Sequence, residues 1–226
     1  IRVNMAQGTL KIHSENILPI IKKWLYSDKD IFVRELVSNA CDAISKMRKI
    51  DESQIAEPSI NIRIDKDKRT LTFSDNGIGM TCDEVEKYIA QIAFSGAEEF
   101  VKKYQTNKEE DQIIGHFGLG FYSAYMVAEK VEIQTCSFEK NAEAVFWSCD
   151  GSSQYTIEKG ARLERGTDIT LTLPQEEEEY LDASRLRQIL NYYCSFLPYP
   201  IYLNDKRINE HTPLWIKPPS ECTEED

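Results

Sequence analysis

Long apolar runs, histidine, paired cysteine spacings and an excess of basic charge are all missing or scarce in this chain of 226 residues. No uninterrupted apolar run reaches about 18 residues, so no membrane-spanning helix is predicted. The first residues lack the apolar core of a secretory signal. Histidine occurs three times, and none of the six cysteines (Cys41, Cys82, Cys136, Cys149, Cys194 and Cys222) forms a CxxC pair. A zinc site is therefore not expected. Cysteines scattered through a chain of this size read as reduced thiols, most simply in the cytoplasm. Lys and Arg number 27 against 38 Asp and Glu, a formal net charge of -11. Such a surface repels nucleic-acid backbones and anionic membranes. It does not forbid a phosphate ligand, because a pocket can supply backbone donors and a metal ion locally.

What is present has the composition of one globular domain: 41% hydrophobic and 29% charged residues, with no internal repeat. Ile17, Leu18, Ile20, Ile21, Trp24 and Leu25 recur at helical spacing, which predicts a helix over about 16–26, with Ser27 and Asp28 as a break and cap. A longer helix is predicted over about 29–49. Ile60, Ile62 and Ile64 alternate with polar residues, as do Leu71 and Phe73, with a turn at 65–68; this reads as a β-hairpin. Thr81 and Glu84 form a capping box ahead of a helical stripe at Val85, Tyr88, Ile89 and Ile92. The pattern then breaks down over about 94–120, a connection long enough to be a functional lid. Strands are predicted near 131–138, 143–149, 154–158 and 166–173, a helix over about 184–196 and a strand at 201–203. The acidic run Glu176 to Glu179 reads as a solvated segment. Helices early and strands later predict an α+β fold, a two-layer sandwich of a mostly antiparallel mixed sheet with helices on one face. The domain is expected to span 5–210, with Met5 a candidate start and 211–226 a linker toward a further domain.

Four segments carry candidate chemistry. On the 29–49 helix, Glu35, Asn39, Asp42 and Lys46 fall within an arc of roughly 60° that borders the apolar face. A carboxylate there can act as a general base, and an amide one turn away offers a neutral oxygen to a hard cation such as Mg²⁺. An amphipathic helix with ordinary polar residues on its flank would look the same. Asp75-Asn-Gly-Ile-Gly-Met80 follows the second hairpin strand; a carboxylate beside two glycines suits backbone approach to a ligand and can accept from an exocyclic amine, although a plain turn would use the same residues. Gly115 to Gly120 precede a helical pattern near Phe121, and exposed amides at a helix start bind phosphate. No Gly-Lys-Ser/Thr follows, so this is not a Walker A loop, and no strand immediately precedes it, so it is not a dinucleotide fingerprint. Gly166-Thr167 opens a strand, where a hydroxyl can reach a base through water; by itself it is an unremarkable strand start.

Taken in order, the four segments resemble those of the GHKL ATPases, which include gyrase B, MutL, histidine kinases and heat-shock protein 90. Phe32-Val-Arg-Glu-Leu-Val-Ser-Asn-Ala-Cys-Asp-Ala43, Asp75 to Thr81, Gly115 to Ser123, Glu164-Arg-Gly-Thr167 and Leu197-Pro-Tyr-Pro-Ile201 are similar to the heat-shock protein 90 family in wording, over about residues 8–219. Pro213-Leu-Trp-Ile-Lys217 follows without a long charged insert, as in the bacterial, high-temperature protein G type. The resemblance implies an ATP-binding, ATP-hydrolysing domain of a chaperone that assists client proteins. In it, Glu35 would activate the attacking water and Asn39 would coordinate Mg²⁺. Asp75 would accept from the adenine amine, with Gly79 and Thr167 holding associated waters. Met80 and Phe121 would wall the adenine and ribose, with Asp42 also in the nucleotide set. Gly115, His116, Phe117, Gly118, Leu119 and Gly120 would close over the phosphates. ATP or ADP with Mg²⁺ is the implied ligand, and homodimerisation is implied for the full-length protein through a distant region. The fragment is expected to be monomeric and to hydrolyse ATP slowly.

The pattern departs from the family at Tyr88, Ala90 and Phe94, where an Asn, a Gly and a Lys are usual. No polar ribose or phosphate contact is carried over from that stretch. Two other readings compete. In a non-catalytic nucleotide sensor Glu35 would have no role as a base. In a DNA-repair or topoisomerase ATPase the domain would serve a DNA-bound machine, against which the acidic charge argues.

Overall fold

The computed structural model describes residues 29–55, 57–91, 120–151 and 154–209. The expected helix over 16–26 with its cap, the linker over 211–226 and, Gly120 excepted, the expected lid over about 94–120 lie outside the described residues.

The elements are α1 (Ile31–Ile50), β1 (Ile60–Asp65), β2 (Thr70–Asp75), the short α2 (Cys82–Val85), β3 (Lys130–Cys136), β4 (Val145–Cys149), β5 (Thr156–Lys159), β6 (Gly166–Thr172), α3 (Ala183–Cys194), β7 (Ile201–Leu203) and β8 (Lys206–Arg207). The eight strands form one sheet in the spatial order β5-β4-β3-β6-β2-β1-β7-β8. Among the described residues, only β1 and β7 pair in parallel; the other neighbours are antiparallel. This is the mixed α+β sheet that the order of segments predicts.

Strand alternation decides which face is covered. Ile60 and Ile62, Leu71 and Phe73, Val131 and Ile133, and Val145 and Trp147 are buried, while the residues between them are exposed or half-buried. The buried face receives α1, whose Phe32, Val33, Leu36, Val37, Ile44 and Met47 are almost solvent-free. Each such side chain contributes roughly 1.5–3 kcal/mol of burial free energy. Phe32 meets Phe73 edge-on at 6.3 Å and Tyr180 at 5.1 Å. Arg48 and Lys49 in the last turn of α1 complement the helix dipole. Asp30 precedes the helix without capping it through its side chain. Its carboxylate instead accepts from Tyr180 Oη at 3.0 Å and from Arg185 Nη2 at 2.7 and 2.8 Å, which ties the start of α1 to α3.

Three local expectations are corrected. The capping box at Thr81 and Glu84 is present. The helix it starts is α-helical only over Cys82–Val85 and widens to π geometry over Glu86–Gln91. Val85 and Ile89 stay buried, but Tyr88 leaves the predicted stripe and is 46% exposed. The acidic run is not uniformly solvated. It lies in a 3-10 segment, Gln175–Leu181, kinked at Glu177, and Glu177 turns inward to pair with Lys29. The helical pattern near Phe121 is realised as a 3-10 segment, Gly120–Met126.

Candidate functional site

Register builds one cluster out of three strands. Asp75 at the end of β2 pairs with Thr167 of β6, and Thr167 pairs with Thr135 of β3. All three continue the core-facing side of their strands, so the apolar core ends in a buried polar rim: Asp75 is 7% exposed, Thr167 6% and Thr135 0%. The two threonine hydroxyls are 3.0 Å apart. Thr135 Oγ1 also donates to the Gly166 carbonyl at 3.1 Å and accepts from the Met80 N–H at 3.0 Å.

The loop after Asp75 is held on several sides. Gly77 N–H donates to Asp75 Oδ1 at 2.8 Å. Ile78 N–H donates to the Ala43 carbonyl of α1 at 3.0 Å, and Phe138 N–H to the Ile78 carbonyl at 2.9 Å. Gly79 is required here: its φ is +66°, and a Cβ would sit 1.8 Å from the Cys136 carbonyl oxygen. Gly166 has φ +125°, and a Cβ there would meet the Asp75 carbonyl oxygen at 2.1 Å. The strand end, the loop and α1 are thereby locked into one rigid corner.

The electrostatics of Asp75 follow from burial. Loss of water pushes its carboxyl up to about 7, against the Gly77 N–H and the Arg162 and Arg165 guanidiniums, which favour the charged form. Among the described residues, the Gly77 N–H on Oδ1 is the single hydrogen bond to the carboxylate, so Oδ2 can serve a ligand.

On α1 the predicted polar stripe splits by depth. Glu35 is buried, at 4% exposure, whereas Asn39, Asp42 and Lys46 are exposed. Arg34 donates to Glu35 Oε1 from Nε at 3.1 Å and from Nη2 at 2.7 Å. Gly120 lies against the other oxygen: a Cβ on it would be 2.5 Å from Glu35 Oε2. Of the glycine segment, Gly120 alone is described, and Gly115, His116, Phe117, Gly118 and Leu119 lie outside the described residues. Met80 is half-buried beside Thr135. Phe121 is 5% exposed and packs edge-on against Trp147 at 5.9 Å and Tyr122 at 5.3 Å. A cavity of about 260 Å³ lined by Lys29, Met126, Val127 and Glu177 shares no residue with this corner.

The structure thus places a buried carboxylate, Asp75, at a strand end near a helix that carries a buried Glu35 and an exposed Asn39 one turn apart. Compared with known protein families, residues 27–172 match the model of the histidine kinase-, DNA gyrase B- and HSP90-like ATPases. The chain belongs to this family. Glu35, Asn39, Asp42, Asp75, Gly79, Met80, Gly120, Phe121 and Thr167 all fall within the matched span of the ATPase domain. The chain is 46% identical over 242 aligned positions to the chaperone protein HtpG of Bacteroides thetaiotaomicron, covering 98% of this chain and 35% of the relative. It is 45% identical over 240 positions to HtpG of Porphyromonas gingivalis W83, covering 97% and 35%. With HtpG of Chlorobium phaeovibrioides the identity is 40% over 224 positions, covering 96% and 36%. The chain thus spans about a third of the length of the curated relatives it matches.

Sequence reasoning missed four residues that the structure places around Glu35 and Asp75: Arg34, Thr135, Arg162 and Arg165. Thr135 did leave a signal, a hydroxyl at a core-facing position after Val131 and Ile133. Arg162 and Arg165 reach the Asp75 loop across more than eighty residues of chain, and no spacing rule reveals such a contact.

Proposed function

We propose that this chain is the nucleotide-binding ATPase domain of an HSP90-type chaperone and binds ATP or ADP at the corner between α1 and β2. The observation that carries the reading is Asp75: a buried carboxylate, one oxygen held by a backbone amide and the other able to accept from the adenine amine. Thr167, its cross-strand partner, has a buried hydroxyl able to hold a bridging water to the base. Gly79 lets the backbone approach the ring, and Met80 and Phe121 offer apolar and aromatic surface to base and ribose.

Hydrolysis requires a base beside the phosphates. Both Arg34 bonds go to Glu35 Oε1, which leaves Oε2 to take a proton from a water as its oxygen attacks the γ-phosphorus. ADP and inorganic phosphate leave, and the proton rests on Glu35 until solvent removes it. Among the described residues no group of three or more His, Cys, Asp or Glu gathers into a metal cage. The exposed Asn39 amide, one turn from Glu35, suits Mg²⁺, which keeps water and phosphate ligands and takes few from protein. Bound there, the ion would neutralise phosphate charge. Gly115 to Leu119 would contribute backbone amides to the phosphates, and Asp42 would lie at the mouth of the site. In the whole protein, ATP turnover would drive a chaperone cycle on client proteins in the cytoplasm, in a homodimer formed through regions outside this chain.

Calorimetric titration with ADP, with and without Mg²⁺, tests the site. Asp75→Asn keeps the size of the side chain but presents an amide N–H₂ to the adenine amine, donor against donor. The expected loss is about 1–3 kcal/mol of binding free energy, or 5- to 150-fold in Kd. Unaltered ADP affinity in this variant would overturn the assignment. A non-catalytic sensor is the second reading, in which the Arg34–Glu35 ion pair is structural and Glu35 takes no proton.

A further inference from the structure

Three consecutive carbonyls of the loop after β2 point at guanidinium groups. Arg162 Nη2 donates to the Asp75 carbonyl at 3.0 Å. Arg165 Nη1 donates to the Gly77 carbonyl at 2.7 Å and also to the Asn76 carbonyl. Neither arginine belongs to the nucleotide set argued above. We propose that Arg162 and Arg165 are positioning residues for adenine recognition: they fix the loop that aims Asp75 and keep positive charge beside its carboxylate. The inference rests on the reading of Asp75 as the acceptor for the base.

The clamp is assembled by several independent features. Arg162 is itself oriented by four acceptors: the Glu164 carbonyl at 2.9 Å, the Arg165 carbonyl at 3.4 Å, the Asp75 carbonyl and the Asp168 carboxylate. Asp168 follows Thr167, the cross-strand partner of Asp75, so strand register delivers the anchor to the right place. Gly166 makes the approach possible, since a Cβ there would lie 2.6 Å from Arg162 Nη2 as well as against the Asp75 carbonyl. Asn76 holds the same loop from the other side, accepting from Ser59 N–H at 3.0 Å and donating to the Glu57 carbonyl at 2.7 Å.

Loop fixation alone would need only neutral donors. The use of two cations has a second consequence. Asp75 loses most of its water, which raises its carboxyl; the Gly77 N–H opposes that rise, and a few fixed charges adjust it further. From the β6 side these are Arg162 and Arg165, which favour the carboxylate, and Asp168, which opposes it. From α1 the facing titratable group is Cys41, whose thiol burial raises to about 12, so it stays neutral near pH 7. An acceptor for an amine must be ionised, or at least must not present its own proton. With the carboxyl near 7, removing one cation tips Asp75 toward the protonated form.

The experiment uses Arg165→Gln, Arg165→Lys and Arg162→Gln in the chain with ¹³C-labelled aspartate. The Asp75 carboxyl carbon is titrated by NMR without ligand, and ADP affinity is measured in parallel from pH 6 to pH 9. Loss of a neighbouring cation is expected to raise the Asp75 midpoint by about one pH unit. The ionised fraction at pH 7 then falls from about a half to about a tenth, so ADP binds about fivefold more weakly at pH 7 with little loss at pH 9. Arg165→Lys restores the charge and returns the midpoint toward the wild-type value. Arg162→Gln shifts it in the same direction as Arg165→Gln, which keeps the test alive if one variant fails to fold. A midpoint unmoved in the Gln variants overturns the inference, as does a loss of affinity equal at every pH. A midpoint that moves while the ADP curve stays put sinks the adenine reading itself, and the inference with it.

Discussion

Asp75→Asn is expected to change the stability of the domain in a pH-dependent way that only a buried, protonatable carboxyl can produce. The folded-state value near 7 lies above the ordinary 3.8 because burial disfavours the charged form. Between these values the unfolded chain has released its proton and the folded chain still holds it. The contribution of Asp75 is therefore fully present below about pH 4, falls as pH rises, and levels off above about pH 7. At about 1.4 kcal/mol per pH unit, raising the pH from 4.5 to 8 costs the wild type on the order of 3 kcal/mol through this one group. Asparagine does not titrate. It can still accept from the Gly77 N–H, at the cost of a buried N–H₂ lacking an acceptor, about 1–3 kcal/mol at any pH. The difference in stability between the two proteins should thus shift toward the variant by about 3 kcal/mol between pH 4.5 and pH 8. Urea unfolding of both proteins at the two pH values, followed by fluorescence of the buried Trp147, measures it, and every other titrating group cancels in the difference. A difference that is the same at both pH values would refute the reasoning, because it would mean that Asp75 is ionised throughout with an ordinary acidity.

Glu35→Ala should leave ADP and ATP affinity within about twofold of wild type and abolish ATP turnover in the full-length protein, since it removes the proton acceptor and no contact to the adenine; steady-state phosphate release decides this: unchanged turnover removes Glu35 from the role of base, and no turnover even in the wild type favours the sensor reading. Gly79→Ala should destabilise the domain by about 3 kcal/mol or more or prevent folding, because a Cβ at φ +66° drives into the Cys136 carbonyl; a thermal midpoint within a degree or two of wild type would mean that the corner is softer than its contacts imply.

Much of the fold is legible in the one-dimensional pattern because the signals are local. Strand alternation at Ile60, Ile62, Leu71 and Phe73, the capping box at Thr81 and Glu84 and the apolar periodicity of α1 each reflect forces within a few residues of chain. The π-helical widening after Val85 and the inward turn of Glu177 were not legible. They depend on which neighbours compete for burial, here the pairing of Glu177 with Lys29, and an acidic run looks the same whether one member is buried or none.

The site divides along the same line. The residue types and their order, a Glu and an Asn one turn apart, an Asp before two glycines, a Gly-Thr at a strand start, are properties of the chain alone, and they were enough to name the chemistry and the family resemblance. Tertiary structure decided the rest: that Asp75 and Thr167 are buried cross-strand partners, that Thr135 completes their rim, that Gly120 lies on Glu35, and that two arginines from the β6 side surround the Asp75 loop. Electrostatics explains the division, since charge and burial act through space. The acidity of Asp75 is set first by burial, which raises its carboxyl, and then by the Gly77 N–H and by charged groups nearly ninety residues away in sequence that the fold brings beside it.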